Sequence, residues 1–454
     1  MKTKEVKSLM ILPLFVLLLV VIGCGISGPP ANVSPTMTSS PQESAPTTPV
    51  ETVEVNGYIE EIKGVRVLRV WGSHQEMGYA QGYLLADDLA ELFGHHLFDT
   101  MFANLPREWT YERVLGLMEQ YILWPEGYRE EMEAMVRGME AALGELPQIT
   151  HERIEAGSVT MNADMIALLN AHTDLLDLPR DCCSFAAWGA VTGDGYTRVG
   201  GNQQGQRGPL HDYVLLMVRQ PDYGLSTACS NTVGSLTCMR GMNETGVAEM
   251  PQGAETPWVT VDGPCYAGMH ARLVLEAQAA GPDLASRVAE MFEEYPRCGS
   301  SVFLFAQGTS SWDNPQPDQV ALVIEHDYTG VTVRLPSHNR LHGNPLTEAI
   351  VATNHFLQRE ISPSARTTRE SDRRYDAMVA ALQEGVTDLA DMQRVLIACD
   401  KGGVAQQSVY VEPDAMTIHV AFRPSADAPH SPAQTPASFT WKELFMPLED
   451  LVDK

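Results

Sequence analysis

Basic residues are scarce in this chain of 454 residues. Lys and Arg together number 31 against 58 Asp and Glu, which gives a formal net charge of −27 at pH 7. A surface of this sign repels the phosphates of nucleic acids. The composition therefore argues against nucleic acid as a partner, and the simplest interpretation of the charge is a solvated acidic surface.

Cysteine is also scarce, and its spacing excludes the common zinc motifs. The sequence contains neither C-x-x-C nor H-E-x-x-H, so we expect no metal site and no cofactor. If Cys24 is set aside, seven cysteines remain: Cys182, Cys183, Cys229, Cys238, Cys265, Cys298 and Cys399. An odd number leaves at least one thiol unpaired. Cys229 and Cys238 flank a turn-rich segment and could pair across a hairpin.

A long apolar run stands at the N-terminus. A basic start (Lys2, Lys4, Lys7) precedes "LMILPLFVLLLVVI", and "VIGC" then ends at Cys24. This order is typical of a secretory signal, and "VIGC" resembles a bacterial lipobox whose cysteine is lipidated. We predict a lipoprotein signal peptide over 1–24, lipidation at Cys24, and a chain held outside the cytoplasm on the bacterial cell membrane by its lipid anchor. A plain transmembrane anchor is the alternative.

The next segment, 25–56, is rich in Pro, Ser and Thr and has no apolar period. Such a composition cannot bury enough surface to offset its ordering entropy, so a disordered linker is expected. The remainder, 57–454, is predicted to form the folded domain. At 44 % hydrophobic residues, the chain can build a substantial core.

The predicted secondary structure of the folded part changes near Cys182. Apolar periodicity predicts mainly helices before it and hairpins grouped with helices after it. A strand is predicted over 64–73. Hairpin patterns are predicted from "SFAAWGAVT" through "GDG" to "YTRVGGNQ" and at 212–220, 237–250 and 321–336, with turns at "MNETG" and "DYTG" in the last two. The helix predictions are 74–98, 127–146, 149–176, 267–280, 281–295, 369–385 and 386–400, with Asp283 available as a cap. Hairpins grouped with helices indicate an α+β fold of antiparallel sheets covered by helices.

Two adjacent thiols, in "RDCCSF", lie where the predicted structure changes from mainly helices to hairpins grouped with helices. If the chain were cut before Cys182, that residue would carry both a thiol and an α-amine. An α-amine titrates near pH 7.7–8.0 and can act as a base on its own side chain. A thiol is readily activated in this way, because its own pKa is about 8.5.

The order of several motifs resembles a known family. The segments "RVWGSHQEMGYAQGYLL", "CCSFAAWG", "GGNQQ", "GMNETGV" and "ATNHF" occur in the order found in isopenicillin N acyltransferase-like cysteine Ntn hydrolases, and more distantly in choloylglycine hydrolases and acid ceramidases. The resemblance covers about residues 64 to 440. It implies an αββα sandwich of two antiparallel sheets, self-cleavage before the nucleophile, and hydrolysis or transfer of an acyl group at an amide bond.

The same resemblance implies the site residues. Cys182 is the expected nucleophile, with Cys183 as the alternative, and Asp181–Cys182 is the expected scissile bond. Asn354 falls on the asparagine whose amide holds the oxyanion; a turn-forming role is the alternative. Arg374 in "SDRRY" matches an arginine that could stabilise a negative charge, although a surface helix residue is equally compatible with the sequence. His355 is interpreted as a neighbour rather than a base.

One motif departs from the wider superfamily. Where an Arg-Asn-x-Asp pattern is usual, this chain has "GGNQQ", so that Gly201 replaces the arginine and Gln204 replaces the aspartate. That aspartate holds the N-terminal amine of the nucleophile. We expect Gln204 to accept the same hydrogen bond without supplying charge. Asp212 nearby is an alternative source of a carboxylate.

These observations lead to one main hypothesis. The protein is predicted to be a membrane-anchored, extracytoplasmic cysteine Ntn hydrolase or acyltransferase that acts on an acylated small molecule. Self-cleavage would leave a heterodimer of 57–181 and 182–454. The alternative is a catalytically degenerate, ligand-binding lipoprotein on the same scaffold.

Overall fold

The computed structural model of the chain describes residues 54–102, 105–175, 181–204, 210–254, 263–359, 369–400 and 402–445. The predicted signal peptide, Cys24 and the linker up to residue 53 lie outside these described residues. Over the described ranges, none of the helices combines the length and the apolar character needed to span a membrane.

The strands follow in chain order. They are β1 (Gly57–Ile62), β2 (Val65–Gly72), β3 (Ile122–Leu123), β4 (Gln148–Thr150), β5 (Ser158–Thr160), β6 (Asp181–Gly189), β7 (Gly195–Gln204), β8 (Val214–Pro221), β9 (Thr227–Thr232), β10 (Arg240–Asn243), β11 (Val247–Gly253), β12 (Cys265–Tyr266), β13 (Ser301–Gln307), β14 (Ala321–Asp327), β15 (Gly330–Arg334), β16 (Ala349–Ala352), β17 (Gln407–Glu412), β18 (Thr417–Phe422) and β19 (Ala437–Thr440).

The helices are interspersed with these strands. They are α1 (His74–Leu84), α2 (Ala86–Glu91), α3 (Leu97–Phe102), α4 (Tyr111–Tyr121), α5 (Tyr128–Leu143), α6 (Ala163–Leu175), α7 (His270–Ala277), α8 (Leu284–Glu294), α9 (Pro317–Val320), α10 (Arg369–Leu382), α11 (Leu389–Ala398) and α12 (Trp441–Leu444). A π-helical turn, Leu92–His96, separates α2 from α3.

Two large sheets organise the described part of the chain. A nine-stranded sheet has the order β1-β2-β8-β9-β10-β11-β13-β14-β15, and a six-stranded sheet has the order β16-β6-β7-β17-β18-β19. Neighbouring strands are antiparallel in both sheets except for the parallel pair β2–β8. Antiparallel neighbours allow the short hairpins that the turn-rich sequence predicts.

The apolar side chains form layers on both sides of each sheet. One core lies between the two sheets and includes Ala186 and Val199 from one sheet and Val218 and Met250 from the other. Helices α1–α6 and then α7 and α8 cover the outer face of the nine-stranded sheet. Helices α10 and α11 cover the outer face of the six-stranded sheet. The result is the predicted αββα sandwich, and the α+β fold class is confirmed.

The glycines of α1 have a packing reason. A Cβ atom on Gly82 would collide with the backbone carbonyl of Met135 in α5, and a Cβ atom on Gly138 in α5 would collide with the backbone of Tyr79. The two helices therefore approach backbone to backbone. Ser73 and Glu76 form a capping box that starts α1 despite its weak helical propensity.

Two local predictions are wrong. The segment predicted as a helix over 149–176 begins with the hairpin β4–β5, and its helix starts only at Ala163. Asp283 stands at the start of α8 but makes no side-chain cap; its carboxylate instead pairs with Arg287 at 3.2 Å. The ion pair with Arg287, four residues further along, engages the Asp283 carboxylate that would otherwise accept from backbone N–H groups at the start of α8.

Candidate active site

Cys182 lies at one end of the sandwich, where β6 begins. Side chains alternate along a strand, and Ala186 and Trp188 of β6 point into the core between the sheets. Cys182 belongs to the same alternate set, so its thiol faces the gap between the two sheets. Cys183 and Phe185 face the opposite side, toward α10 and α11.

The disulfides distinguish the two adjacent cysteines. Cys183 pairs with Cys399 at the end of α11, and the other pairs are Cys229–Cys238 and Cys265–Cys298. Cys182 is the free cysteine among the described residues, and it is partly exposed. The alternative that Cys183 is the nucleophile is therefore wrong in this structure, because its sulfur is engaged. The proposed pair across the hairpin, Cys229–Cys238, is present.

Two predicted site residues converge on the backbone of Cys182. The Cys182 backbone nitrogen donates a hydrogen bond to Oδ1 of Asn354 at 2.8 Å. Arg374 donates from one guanidinium nitrogen to the Cys182 carbonyl at 2.7 Å, and from another to Oδ1 of Asn354 at 2.9 Å. The structure thus brings Cys182, Asn354 and Arg374 together from β6, the end of β16 and α10.

The amide of Asn354 is oriented by its partners. Its Oδ1 accepts from two donors, and its Nδ2 donates to the carbonyl of Gly253 at 2.5 Å, at the end of β11. One of the two hydrogens on Nδ2, the donor predicted for an oxyanion, is therefore engaged by a backbone carbonyl on the Cys182 side of the sandwich. The second hydrogen on Nδ2 is the donor that an acyl intermediate could use.

Ser371 and His355 form a chain of hydrogen bonds that ends on the backbone nitrogen of Asn354. The Asn354 backbone nitrogen donates to the Ser371 hydroxyl at 3.0 Å, and that hydroxyl is 2.7 Å from Nδ1 of His355. Burial lowers the pKa of His355 to about 4, with the positive charge of Arg334 acting in the same direction. When Nδ1 of a neutral His355 accepts a hydrogen bond from the Ser371 hydroxyl, the hydroxyl oxygen can in turn accept from the Asn354 nitrogen.

The position of Arg374 on α10 separates it from a surface arginine. Its side chain is 1 % exposed, whereas the side chain of the preceding Arg373 is 62 % exposed and pairs with Glu370. A buried guanidinium stabilises negative charge more strongly than an exposed one, because less water screens it. Arg374 is therefore buried against the backbone of Cys182, whereas Arg373 is a solvated residue.

Gln204 does not lie where the sequence places it. The strands β6 and β7 pair Cys182 with Gln203 and Asp181 with Gln204, so Gln204 shares a face with Cys183. Its Nε2 donates to the Cys399 carbonyl at 3.2 Å and contacts the Cys183 sulfur at 3.6 Å. In the uncleaved chain the Cys182 nitrogen donates to Asn354, and the predicted hydrogen bond from a free Cys182 amine to Gln204 stays a prediction.

A β-bulge causes this difference. Near the turn, Gly189 pairs with Gly195, but Ala187 pairs with Arg198, so β7 carries one extra residue. If the register at the turn continued, Cys182 would oppose Asn202, and Gln204 would share its face. The bulge shifts the pairing by one residue and exchanges the faces of Gln203 and Gln204.

Asp212 does not supply the missing carboxylate either. It lies in the short 3-10 turn Leu210–Tyr213 with its side chain 61 % exposed, and its carboxylate is 3.4 Å from His211. No carboxylate among the described side chains bonds to the Cys182 nitrogen. The side-chain amide oxygen of Asn354 accepts the hydrogen bond from this nitrogen in place of a carboxylate.

Sequence reasoning missed the polar side chains that share the gap with Cys182. They are Gln203, Ser230, Arg240, Gln252 and Gln407. Alternation along each strand could have identified them, because each continues the inward-facing apolar set of its strand by one step. The signal was hidden for Gln203 by the bulge and for the others by the unknown pairing of distant strands.

In the part of the chain that the structure describes, no three His, Cys, Asp or Glu side chains are arranged to hold a metal ion. Cys24, the predicted lipidation site, lies outside the described residues.

Comparisons with known proteins give low similarity. No family model matches the sequence, and no curated protein matches it. The fold is similar to solved structures that include a Caenorhabditis elegans ortholog of N-acylethanolamine-hydrolyzing acid amidase, at 14 % identity and a TM-score of 0.39, covering 57 % of this chain and 99 % of that one.

Two further solved structures are similar to a comparable degree. Penicillin V acylase from Agrobacterium tumefaciens matches at 12 % identity and a TM-score of 0.35, over 57 % of this chain and 85 % of that one. A conjugated bile acid hydrolase variant from Clostridium perfringens matches at 10 % identity and a TM-score of 0.36, over 58 % and 97 %. Identities and TM-scores this low carry no argument about function.

Proposed function

We propose that the protein is a cysteine Ntn hydrolase or acyltransferase that acts on an amide bond of an acylated small molecule, with Cys182 as its nucleophile. The observation that carries this proposal is the placement of the free thiol among the described cysteines. It stands at the start of a central strand, and Asn354 and Arg374 bind the backbone nitrogen and carbonyl of the same residue.

Maturation would begin at the Asp181–Cys182 bond. The Cys182 sulfur attacks the Asp181 carbonyl carbon, the C–N bond breaks, and the thiol proton passes to the Cys182 nitrogen. Water then hydrolyses the thioester, which leaves a carboxylate on Asp181 and a free thiol and α-amine on Cys182. Oδ1 of Asn354, 2.8 Å from this nitrogen, accepts a hydrogen bond from the new amine and fixes its position.

The mature residue would then act on the substrate. The α-amine takes the thiol proton, the thiolate attacks the amide carbonyl, and the leaving amine receives that proton as the thioester forms. Water or a second amine takes the acyl group, which corresponds to hydrolysis or transfer. Arg374 donates to the Cys182 carbonyl, and the second N–H of Asn354 Nδ2 donates to the oxyanion.

The location proposed for this activity is the outer side of the bacterial cell membrane. The lipobox-like "VIGC" motif before a Pro-, Ser- and Thr-rich segment supports a lipid anchor at Cys24. Three disulfides among the described cysteines are compatible with an oxidising compartment. Metabolic labelling with a palmitate analogue tests the anchor, and Cys24→Ala should abolish the label.

N-terminal sequencing with intact-mass measurement of the full chain tests the catalytic proposal. We expect a second N-terminus that reads Cys-Cys-Ser-Phe, which Cys182→Ala abolishes. A chain that stays whole, together with unchanged amidase activity in Cys182→Ala, would refute it. A chain that stays whole, has no amidase activity and still binds an acylated ligand would instead favour the degenerate binding protein.

A further inference from the structure

Two buried residues of opposite charge, Glu325 and Arg334, are not used by the proposed mechanism. Glu325 lies in β14 and is fully buried, and Arg334 ends β15 and is 1 % exposed. The Nε of Arg334 donates to Oε1 of Glu325 at 3.0 Å. A buried ion pair is by itself weak evidence for stability, because both charges lose their hydration on burial. The groups that the two side chains bind besides each other therefore indicate what the pair does.

The carboxylate of Glu325 binds the chain just after Asn354. Its Oε1 accepts from the backbone nitrogen of Leu357 at 2.9 Å. Its Oε2 accepts from the backbone nitrogens of Gln358 and Arg359 at 2.9 Å and 2.7 Å. One carboxylate thus satisfies three consecutive N–H groups of a segment that contains neither helix nor strand.

The guanidinium of Arg334 binds the chain just before Asn354. Its Nη2 donates to the carbonyl of Val351 in β16 at 2.8 Å. Val351 precedes Asn354 by three residues, and Leu357 follows it by three. The ion pair therefore contacts both arms of the segment 351–357, at whose centre Asn354 lies.

This segment has little other support from the sheets. β16 is the edge strand of the six-stranded sheet, where it pairs with β6 on one side, and the chain leaves the sheet after Ala352. Segments with few backbone hydrogen bonds open locally more easily than central strands. The charged pair, at the edge of the facing sheet, provides such bonds on both sides of Asn354. The side chain of Arg359 adds an ion pair with Asp327, also in β14, at 2.7 Å.

The side-chain amide of Asn354 depends on this support, because it serves several partners at once. Its Oδ1 accepts from the Cys182 nitrogen at 2.8 Å and from Arg374 at 2.9 Å, and its Nδ2 donates to the carbonyl of Gly253. A reacting constellation works only when its groups are held within about 0.5 Å of the productive geometry. Fixed peptide groups on both sides of Asn354 restrict its backbone and therefore the direction of its side chain.

We propose that Glu325 and Arg334 form a positioning pair that sets the orientation of Asn354 and, through it, the placement of the Cys182 nitrogen. Neither side chain has a described contact with Cys182, so both act through Asn354. The consequence for catalysis rests on the proposed function. The positioning itself is a property of the uncleaved chain and requires no turnover.

Hydrogen exchange at the backbone amide of residue 182 tests the positioning without catalysis. It is followed by mass spectrometry in the full chain with Cys182→Ala, which lacks the thiol and keeps the nitrogen that bonds Asn354. Glu325→Gln should raise this exchange rate at least tenfold, because an N–H group replaces an acceptor of the backbone nitrogens. In a chain that also carries Asn354→Ala, Glu325→Gln should change the rate by less than twofold.

A second buried ion pair provides the matched control. Glu131 and Arg272 are both fully buried, their atoms are 2.9 Å apart, and neither has a described contact with Cys182 or Asn354. Glu131→Gln should lower the stability of the fold and leave exchange at residue 182 within about twofold. An equal rise of this exchange in Glu131→Gln and Glu325→Gln would mean a loss of overall stability and would overturn the positioning pair.

A milder variant keeps the test decisive if Glu325→Gln does not fold. Arg334→Lys retains the buried charge, but an ammonium on a flexible stem does not reproduce the planar fork that joins Glu325 to Val351. Exchange at residue 182 should rise at least threefold. An unchanged rate in Arg334→Lys, or an effect of Glu325→Gln that persists undiminished with Asn354→Ala, would overturn the proposal.

Self-cleavage connects the pair to the reaction. With Cys182 in place, Glu325→Gln should slow the appearance of the Cys182 N-terminus at least tenfold, because small misplacements at a reacting centre are costly. Raised exchange with an unchanged cleavage rate would overturn the role of the pair in the reaction. Raised exchange in a chain that never cleaves and never hydrolyses an amide would support the positioning pair and refute the proposed function instead.

Discussion

The side-chain oxygen of Asn354 accepts a hydrogen bond from the backbone nitrogen of Cys182 at 2.8 Å, although the two residues are 172 positions apart in the chain. This contact places an acceptor where a free α-amine would form after cleavage. An asparagine amide here accepts the hydrogen bond that the family resemblance assigns to an aspartate.

Replacement of Asn354 by Ala should slow both self-cleavage and amide hydrolysis. The change removes the acceptor for the Cys182 nitrogen, the partner of Arg374 and the Nδ2 donor together. Loss of an oxyanion donor alone typically reduces the rate by about 10²–10³. The measurement is the rate of appearance of the Cys182 N-terminus, followed by kcat on a hydrolysed amide.

A buried asparagine elsewhere provides the control for this substitution. Asn339 bonds the carbonyls of Leu346 and Ala349 and makes no described contact with Cys182. Asn339→Ala should lower stability without changing the cleavage rate of the folded protein. A similar loss of cleavage in both variants would mean that the effect of Asn354→Ala is on folding.

Substitutions of the two adjacent arginines on α10 should have different effects on activity. Arg374→Met removes the donors to the Cys182 carbonyl and to Asn354, so cleavage and hydrolysis should fall by at least tenfold. Arg373→Met removes only an exposed ion pair with Glu370, which water and salt screen, and activity should remain unchanged. Equal activity of the two variants would contradict the assignment of Arg374 to the site.

The Cys183–Cys399 disulfide should stabilise the protein more than Cys229–Cys238. The first closes a loop with a sequence separation of 216 and the second one of 9. In the chain-entropy model these loops correspond to about 5 and about 3 kcal/mol. We expect the Cys183→Ser/Cys399→Ser variant to unfold at a lower urea concentration than Cys229→Ser/Cys238→Ser.

The same pair of variants should differ in activity. Cys183 directly follows the proposed new N-terminus, so its disulfide holds the nucleophile against α11 after cleavage. Loss of this disulfide should reduce hydrolysis even where the protein remains folded, whereas loss of Cys229–Cys238 should not. An active, folded Cys183→Ser/Cys399→Ser variant would show that strand pairing alone positions Cys182.

Acid should destabilise the protein through buried neutral histidines. Burial lowers the pKa of His355 and of His270 to about 4 each, against 6.5 in the unfolded chain. The unfolded state then binds more protons between pH 6.5 and 4, so the free energy of unfolding falls as the pH falls through this window. Each histidine contributes up to about 3 kcal/mol to this loss.

Urea unfolding at several pH values between 7 and 4 measures this effect. His355→Gln removes one titrating group and should make the decline less steep than in the unmodified protein. An identical slope in the two proteins would show that His355 does not titrate in this window. Over the same range, self-cleavage should weaken toward pH 4, because protonated His355 no longer accepts the Ser371 hydroxyl.

The sequence by itself determined the α+β fold class, most of the helices and strands, and the segments that meet at the site. Apolar periodicity and turn residues are local signals, and the ordered motifs placed Cys182, Asn354 and Arg374 on three separate elements. These three residues are brought together in the structure. The sequence also indicated the pairing of Cys229 with Cys238, because their spacing is that of a hairpin.

Only the tertiary structure decided which face of a strand each side chain occupies. One extra residue of β7, between Gly195 and Arg198, shifts the register of β6 on β7, and with it Gln203 replaces Gln204 on the Cys182 side. A shift of one residue reverses every side chain beyond it, and no local signal in "GGNQQ" records that shift. The contacts of Glu325 and Arg334 with the chain on either side of Asn354 likewise depend on how the two sheets pack, which no spacing along the chain expresses.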